Sequence, residues 1–192
     1  MQVTVDKILD IAKSWVGKSA KNGTHKEIID VYNSQKKLPR GYRVKYSDYW
    51  CATFISALFV KAGASDMIHC ECSCEQMIRG MKSLGIYIEN ENRTPAKGDI
   101  VFYDWNDTGS GDCTGWADHV GIVENVSGNK FTVIEGNYNN TVGRRTVTVN
   151  QHYLRGFATP KYAITTTLTS SELERIAKEV IRGNWGNGAE RK

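Results

Sequence analysis

The stretch Lys97-Gly98-Asp99-Ile100-Val101-Phe102-Tyr103 decides the fold, because the spacing of apolar residues changes there from helical to extended. Upstream, apolar residues recur every three or four positions, which predicts helices at 4–16, from Trp50 to Gly63, and at 74–83, with a shorter piece near 25–32. From residue 99 onward the pattern predicts short strands, at 99–103, 119–125, 131–135, 144–149 and 155–158. Helices followed by about five antiparallel strands predict an α+β domain whose N-terminal helices pack on the sheet.

The composition is that of a folded domain with a mild charge. Hydrophobic residues make up 40% of the 192 residues, and aromatic residues recur, so a sizeable core is expected rather than disorder. The net charge is +4, and a basic cluster between Lys36 and Lys45 indicates a solvated face or weak attraction to a polyanionic surface. We expect no nucleic-acid partner. The sequence contains no apolar run of about 18 residues and no basic start followed by an apolar stretch, so neither membrane insertion nor a secretory signal is expected.

Cys51 is a candidate nucleophile because it falls in the first turn of a predicted helix, for which Ser47 and Asp48 are candidate N-caps. A helix N-terminus and a nearby imidazolium both lower the pKa of a thiol. An unpaired backbone N–H in the first turn could also hold an oxyanion. A cysteine at a helix start is commonly a small buried residue, so its assignment depends on its partners.

His119 is the best candidate for the base among four histidines, because it opens an apolar strand directly after an acidic and aromatic loop. Glu135 and Asn137 lie at the end of the next strand, and a carboxylate that ends an apolar strand needs a partner. A three-residue loop, Val126-Ser127-Gly128, would place His119 opposite Glu135 on one face of the sheet. A two-residue turn at 128–129 would place them on opposite faces, so we predict an odd-length or bulged turn.

Four blocks of the sequence, in this order, strongly resemble the CHAP amidase/peptidase family of the NlpC/P60-like, papain-fold enzymes. The blocks are Tyr49-Trp50-Cys51-Ala52-Thr53-Phe54, residues 95–103, residues 118–123 and Ile134-Glu135-Gly136-Asn137. The resemblance implies a papain-like fold over a catalytic domain at 1–163. It also implies cleavage of peptidoglycan, as an N-acetylmuramoyl-L-alanine amidase or a stem or cross-bridge endopeptidase. It assigns the nucleophile to Cys51, the base to His119, the orienting carboxylate to Glu135 and a supporting role to Asn137, with no cofactor required.

The C-terminal residues predict a second module. Residues 164–170 are expected to form a linker, and a short helix follows through Ile181. The tail at 171–192, with Gly183-Asn184-Trp185-Gly186-Asn187-Gly188, resembles the start of a Cpl-7-type cell-wall-binding repeat. A wall-cleaving domain, such a repeat and no signal peptide together resemble a phage or prophage endolysin of a Gram-positive host. That resemblance implies synthesis in the bacterial cytoplasm and action at the wall after holin-mediated release.

Residues near the catalytic candidates are expected to bind substrate. Trp50, Trp116 and Tyr138 could form aromatic walls of a glycopeptide cleft, although core packing or loop anchoring would explain each of them equally well. Asp118, which directly precedes His119, is a further substrate-binding candidate.

Two clusters invite a metal interpretation. One consists of His69, Cys70, Cys72 and Cys74, but its spacing is not that of a structural zinc site, which favours buried or reduced thiols. The other consists of Asp104, Asn106 and Asp112, in a glycine-rich loop whose start resembles a calcium loop. The twelfth position of that loop is Gly115 rather than the closing glutamate. Calcium is therefore a candidate ligand, and no metal is required.

Two other functions are alternatives to peptidoglycan cleavage. A papain-fold protease, glutaminase or deamidase acting on protein would use the same three catalytic groups, but the wall-binding-like tail argues against it. A non-catalytic wall-binding module would not need Cys51, His119 and Glu135 to be intact.

Overall fold

In the computed structural model, described residues are 2–107, 115–164 and 170–181. Within them the α-helices are α1 Val5–Trp15, α2 Lys26–Asn33, α3 Cys51–Ala62, α4 Cys74–Ser83 and α5 Ser170–Ile181, with a 3-10 turn at Pro39–Gly41. The strands are β1 Tyr87–Ile88, β2 Ile100–Tyr103, β3 His119–Ser127, β4 Lys130–Tyr138, β5 Thr141–Thr148 and β6 Leu154–Ala158. The α+β order predicted from the sequence is confirmed, and the short strand β1 adds a sixth strand to the expected five.

The six strands form one sheet in the order β1-β6-β2-β3-β4-β5, and each pair of neighbours is antiparallel. One face of the sheet carries Ile100, Phe102, Val120, Ile122 and Ile134, which belong to the same buried cluster as the helices. The other face carries a second apolar cluster that includes Val101, Tyr103, Val123 and Val133. This architecture is consistent with the papain-like fold that the resemblance implies.

Helix α3 is the central helix, and nearly all of its residues are buried. It packs closely on β4 because Gly136 has no side chain: a Cβ there would lie 2.3 Å from Cβ of Phe54. Gly63, with φ of 72°, ends the helix in a left-handed conformation, as expected for a C-terminal glycine.

The N-terminus of α3 differs from the sequence prediction. Neither Ser47 nor Asp48 caps it; the N-cap residue is Trp50, whose side chain makes no capping hydrogen bond. The Asp48 carboxylate instead accepts hydrogen bonds from the Lys45 backbone N–H and the Tyr42 hydroxyl. The N-cap side chain therefore satisfies none of the first-turn N–H groups of α3, and groups of this kind can donate to an anion.

The predicted boundaries between domains are not tested by the structure. Residues 165–169 of the predicted linker fall outside the described residues, and α5 begins at Ser170. Among the described residues, no helix has the length and apolar character needed to cross a bilayer.

Candidate active site

Cys51 is the first residue of α3, and its thiol is buried. The thiol lies close to the side chain of His119 and to the backbone N–H of Ala52, and both lower its pKa. Its Sγ atom also lies 3.7 Å from Sγ of Cys74, which is the first residue of α4. Two helix N-termini thus bring two thiols together beside the start of β3.

His119 and Glu135 lie on the same face of the sheet, as predicted, and Nε2 of His119 is 3.2 Å from a carboxylate oxygen of Glu135. The predicted three-residue loop is wrong, however, because Ser127 pairs with Lys130 across a two-residue turn. A bulge at Glu124 shifts the register by one residue, since Val123 pairs with Val133 on one side of it and Asn125 pairs with Thr132 on the other. The shift brings Glu135 back to the same face of the sheet as His119.

Because of this register, Glu135 is paired with Gly121, and His119 lies diagonally across from it. Gly121 leaves room for the carboxylate side chain: a Cβ there would lie 2.8 Å from Cγ of Glu135. Since Nε2 of His119 faces Glu135, the other ring nitrogen, Nδ1, is left for the Cys51 thiol.

Arg145 on β5 is a fourth member of this network that sequence reasoning missed. Its Nε lies 2.9 Å and 3.1 Å from the two carboxylate oxygens of Glu135. Its guanidinium also lies over the rings of Trp105 and Tyr138, at 5.0 Å and 4.5 Å from their centroids. The signal that could have found it is the need of a buried carboxylate for a cation on the neighbouring strand.

The pKa shifts indicate a charged resting state. The hydrogen bond from Cys74 lowers the pKa of Cys51, burial opposes this, and the hydrogen bond and charge of His119 lower it further. Burial alone would lower the pKa of His119, but hydrogen bonds with Cys51 and Glu135 raise it to about 9. Burial would raise the pKa of Glu135, whereas His119 and Arg145 lower it. The arrangement therefore favours a thiolate, an imidazolium and a carboxylate at neutral pH.

A cavity of about 260 Å³ opens beside the imidazole and is lined by Trp105, His119, Asn137, Tyr138, Asn139 and Arg145. Asn137 has a left-handed backbone, with φ of 59°, where β4 bulges against β5. Its side-chain Oδ1 is buried and, among the described residues, has no hydrogen-bond partner. Asn137 and Tyr138 thus lie at a space that a ligand could enter, and their roles in catalysis and substrate binding stay predictions.

This geometry agrees with a comparison against protein families. The CHAP domain model matches residues 41–137, which is half of the chain. The chain belongs to the CHAP family. A second model, the CW_7 repeat, matches residues 174–192. Both resemblances seen in the sequence are therefore confirmed. Comparison with curated proteins and with solved structures finds no match. Membership of the family implies a peptidoglycan hydrolase of the amidase or peptidase class, and the repeat adds peptidoglycan binding.

Trp50 is not a wall of the CHAP cleft, so this substrate-binding prediction is wrong. Only 1% of its surface is exposed, and its ring packs 5.7 Å from that of His25. As the N-cap of α3 it lies under the helix terminus, so core packing explains it, as the alternative interpretation allowed.

Trp116 and Asp118 lie at the surface of the CHAP domain. Trp116 is 60% exposed, and the Arg79 guanidinium lies 5.8 Å from its ring centroid. The Asp118 carboxylate accepts a hydrogen bond from the Trp105 backbone N–H at 2.9 Å, and the Trp105 ring lies beside the imidazole of His119. Asp118 therefore positions a wall of the cavity, and the substrate-binding roles of Asp118 and Trp116 stay predictions.

The thiols of the 69–74 cluster have separate surroundings. Cys70 donates to the carbonyl of Ser65, Cys72 lies beside Arg40, and Cys74 contacts Cys51. Across the described ranges, no group of three His, Cys, Asp or Glu side chains could hold a metal.

Only two of the three calcium candidates, Asp104 and Asn106, lie within the described residues. Asp104 is buried, and its carboxylate accepts the backbone N–H of Asn106 at 2.9 Å, whereas Asp112 lies outside the described residues. Calcium binding at Asp104, Asn106 and Asp112 stays a prediction.

Proposed function

We propose that this CHAP domain cleaves an amide bond of bacterial peptidoglycan through a thioester on Cys51. The bond is either the N-acetylmuramoyl-L-alanine amide or a peptide bond of the stem or cross-bridge. The observation that supports this most strongly is the continuous chain of contacts from the Cys51 thiol through His119 to Glu135. It joins a nucleophile, a base and an orienting carboxylate in the order that acyl transfer needs.

In the first half of the reaction, the thiolate attacks the carbonyl carbon of the scissile amide. The C–S bond forms, the carbonyl π electrons move to oxygen, and a tetrahedral oxyanion results. The backbone N–H of Cys51, in the first turn of α3 where no side chain caps the helix, is suited to donate to this oxyanion. The imidazolium of His119 then gives its proton to the leaving nitrogen, the C–N bond breaks, and an amine departs.

In the second half, neutral His119 removes a proton from water, and the hydroxide attacks the thioester. The second oxyanion collapses, the C–S bond breaks, and the Cys51 thiolate returns with a free carboxylic acid as product. Glu135 remains ionised throughout and holds Nε2 of His119, so that Nδ1 stays directed at the sulfur. Arg145 neutralises the buried charge of Glu135.

Peptide-stem recognition is proposed for the cavity beside His119. Oδ1 of Asn137, which has no hydrogen-bond partner among the described residues, would accept an N–H of the stem, and Tyr138 would provide an aromatic wall. Trp116, exposed at the surface, is proposed to contact the glycan or the stem. The CW_7 repeat would hold the enzyme on its polymeric substrate and so raise the local concentration of cleavable bonds.

A role as a phage or prophage endolysin is part of the proposal. The pairing of a CHAP domain with a CW_7 repeat supports it. Such an enzyme is made in the bacterial cytoplasm and acts on the wall after holin-mediated release.

The test uses isolated Gram-positive walls with the full chain, Cys51→Ala, and Cys72→Ser as a matched thiol control. Cys72 is half-buried and lies beside Arg40. We expect the full chain and the control to solubilise walls and Cys51→Ala to be inactive. Mass spectrometry of the fragments then identifies the bond: new amines on L-alanine indicate an amidase, and new ends within or between stems indicate an endopeptidase.

Three results would contradict the proposal. Solubilisation by Cys51→Ala would show that another residue is the nucleophile. Intact walls after treatment with the reduced full chain would remove the hydrolase assignment. Hydrolysis of a denatured protein substrate, with walls left intact, would favour a papain-fold protease instead.

A further inference from the structure

Cys74 contacts the proposed nucleophile and lowers its pKa, but it takes part in no bond-forming or bond-breaking step of the proposed hydrolysis. Its Sγ lies 3.7 Å from Sγ of Cys51, and both thiols are free and buried. The other described thiols have different partners, since Cys70 lies against the Ser56 and Ser65 carbonyls and Cys72 lies against Arg40. Among the described thiols, Cys74 therefore differs in that it contacts the reactive thiolate.

A helix start holds each of the two thiols in this contact. Cys51 and Cys74 are each the first residue of a helix, and the Ser73 hydroxyl caps α4 by accepting the Gln76 backbone N–H. A disulfide requires the sulfur atoms to approach to about 2.05 Å, so they must close by roughly 1.6 Å. Side-chain rotation at two adjacent helix starts provides movement on that scale.

We propose that Cys74 is a resolving thiol, which captures the oxidised form of Cys51 as a reversible Cys51–Cys74 disulfide when the protein meets a peroxide. The proposal rests on the assignment of Cys51 as the nucleophile, because the same thiolate character makes a cysteine sensitive to oxidation. The disulfide would switch off hydrolysis and protect the nucleophile from irreversible damage.

The chemistry balances with hydrogen peroxide as the oxidant. The Cys51 thiolate attacks one peroxide oxygen, the O–O bond breaks, and the proton of the His119 imidazolium converts the leaving hydroxide to water. Cys51 is now a sulfenic acid, oxidised by two electrons, and His119 is neutral. The Cys74 sulfur then attacks the Cys51 sulfur, the S–O bond breaks, and the Cys74 proton leaves with the hydroxide as a second water.

The two thiols are unequal in a way that suits these roles. The hydrogen bond to Cys51, burial and the charge of Asp118 all raise the pKa of Cys74, so its thiol stays protonated and donates to the Cys51 thiolate. Cys51 is therefore the group that reacts with peroxide, and Cys74 reacts only once a sulfenic acid stands beside it. A thiol without such a neighbour proceeds to the sulfinic acid, which thiol reductants do not reverse.

The experiment treats the full chain, Cys74→Ser and the matched control Cys72→Ser with hydrogen peroxide. Serine keeps the size and the hydrogen-bond donor of Cys74 but cannot form the disulfide. Each protein is then alkylated, digested with trypsin without reduction, and analysed by mass spectrometry. Trypsin places Cys51 on the peptide 46–61 and places Cys70, Cys72 and Cys74 together on 62–79, so fragment ions must locate the bond.

The expected result is a 46–61/62–79 peptide pair joined through Cys51 and Cys74 in the full chain and in Cys72→Ser. Its mass should be about 2 Da below the sum of the two peptides with Cys51 and Cys74 as thiols and the remaining cysteines of 62–79 alkylated. In Cys74→Ser, peptide 46–61 should instead gain about 32 Da, which is the sulfinic acid. Wall hydrolysis, relative to each protein's own untreated activity, should recover with dithiothreitol at least tenfold better in the full chain than in Cys74→Ser.

A Cys51 sulfinic acid in the peroxide-treated full chain, or a disulfide that uses Cys70 or Cys72, would overturn the proposal. So would equal recovery of activity by the full chain and by Cys74→Ser. These failures differ from failure of the proposed function, which would appear as no wall hydrolysis by the untreated, reduced chain while the mass measurement still reports on the thiols.

Discussion

Arg145 should contribute far more to stability than its sequence neighbour Arg144, although both form ion pairs with a glutamate. Successive residues of β5 point to opposite faces of the sheet. Arg144 pairs with Glu124 at 2.6 Å and 2.9 Å, and 44% of its side chain is exposed. Arg145 pairs with the fully buried Glu135, and only 26% of its side chain is exposed. The two arginines therefore form a matched pair that differs mainly in burial.

The expected cost of Arg145→Met follows from what Glu135 would lose. Methionine keeps an apolar stem against the Tyr138 ring but removes the cation, so among the described residues the buried carboxylate keeps His119 as its ion-pair partner. Removing one partner of a buried ion pair costs about 3–5 kcal/mol. Because the Arg145 side chain is partly exposed, water can replace some of its contacts, and we expect the lower end, about 3 kcal/mol. Arg144→Met should cost about 0–1 kcal/mol.

Urea unfolding followed by circular dichroism, with linear extrapolation to water, measures both variants. A Glu135→Gln, Arg145→Met double variant completes the test. Glutamine removes the charge that Arg145 neutralises, so the double variant should lose less unfolding free energy than the two single variants lose in sum, by about 1–3 kcal/mol. Equal losses of unfolding free energy in Arg145→Met and Arg144→Met would refute the reasoning from burial. Strict additivity in the double variant would show that Arg145 does not act through Glu135.

Three further predictions concern the site. Because the pKa of His119 is raised to about 9, kcat/KM for wall hydrolysis should fall as pH rises through about 9, and Glu135→Gln should move this basic limb to lower pH; an unmoved limb would contradict the coupling. Gly121→Ala should lose about 1–3 kcal/mol of unfolding free energy and also kcat, because its Cβ would lie 2.8 Å from Glu135 Cγ; full activity would refute this. Trp116→Ala should raise KM while the unfolding free energy stays within about 0.5 kcal/mol, whereas an unchanged KM would remove Trp116 from the substrate site.

The helices were predictable because their signals are local. Apolar spacing and the terminal glycine placed both ends of α3 within a residue of their observed positions, and apolar spacing placed α4 at its observed bounds, 74–83. The N-cap of α3 was not predictable in the same way. Ser47 and Asp48 have the right side chains, but Asp48 bonds to Lys45 and Tyr42 within its own loop, and such local competition is invisible in residue type alone.

The strands were harder, because a register error of one residue moves a side chain to the other face. A polar carboxylate at the end of an apolar strand correctly indicated that Glu135 meets His119. The turn that was expected to bring them together does not form. Instead, a bulge at Glu124 adds the one extra residue that shifts the register. Neither Glu124 nor its two sequence neighbours is a glycine or proline, so nothing in the sequence marks the bulge.

A second bulge explains why regular strand pairing alone would point to Arg144 rather than Arg145. From the observed pair of Tyr138 with Thr141 across the Asn139-Asn140 turn, regular pairing would set Glu135 opposite Arg144. In the structure Gly136 and Asn137 together face Val142, so that Glu135 pairs with Gly143 and Arg145 moves to the face of the carboxylate. The same bulge gives Asn137 its left-handed backbone and its place at the cavity. Two register shifts, one on each side of Glu135, thus bring together a histidine, a carboxylate and an arginine that simple alternation would have placed on different faces.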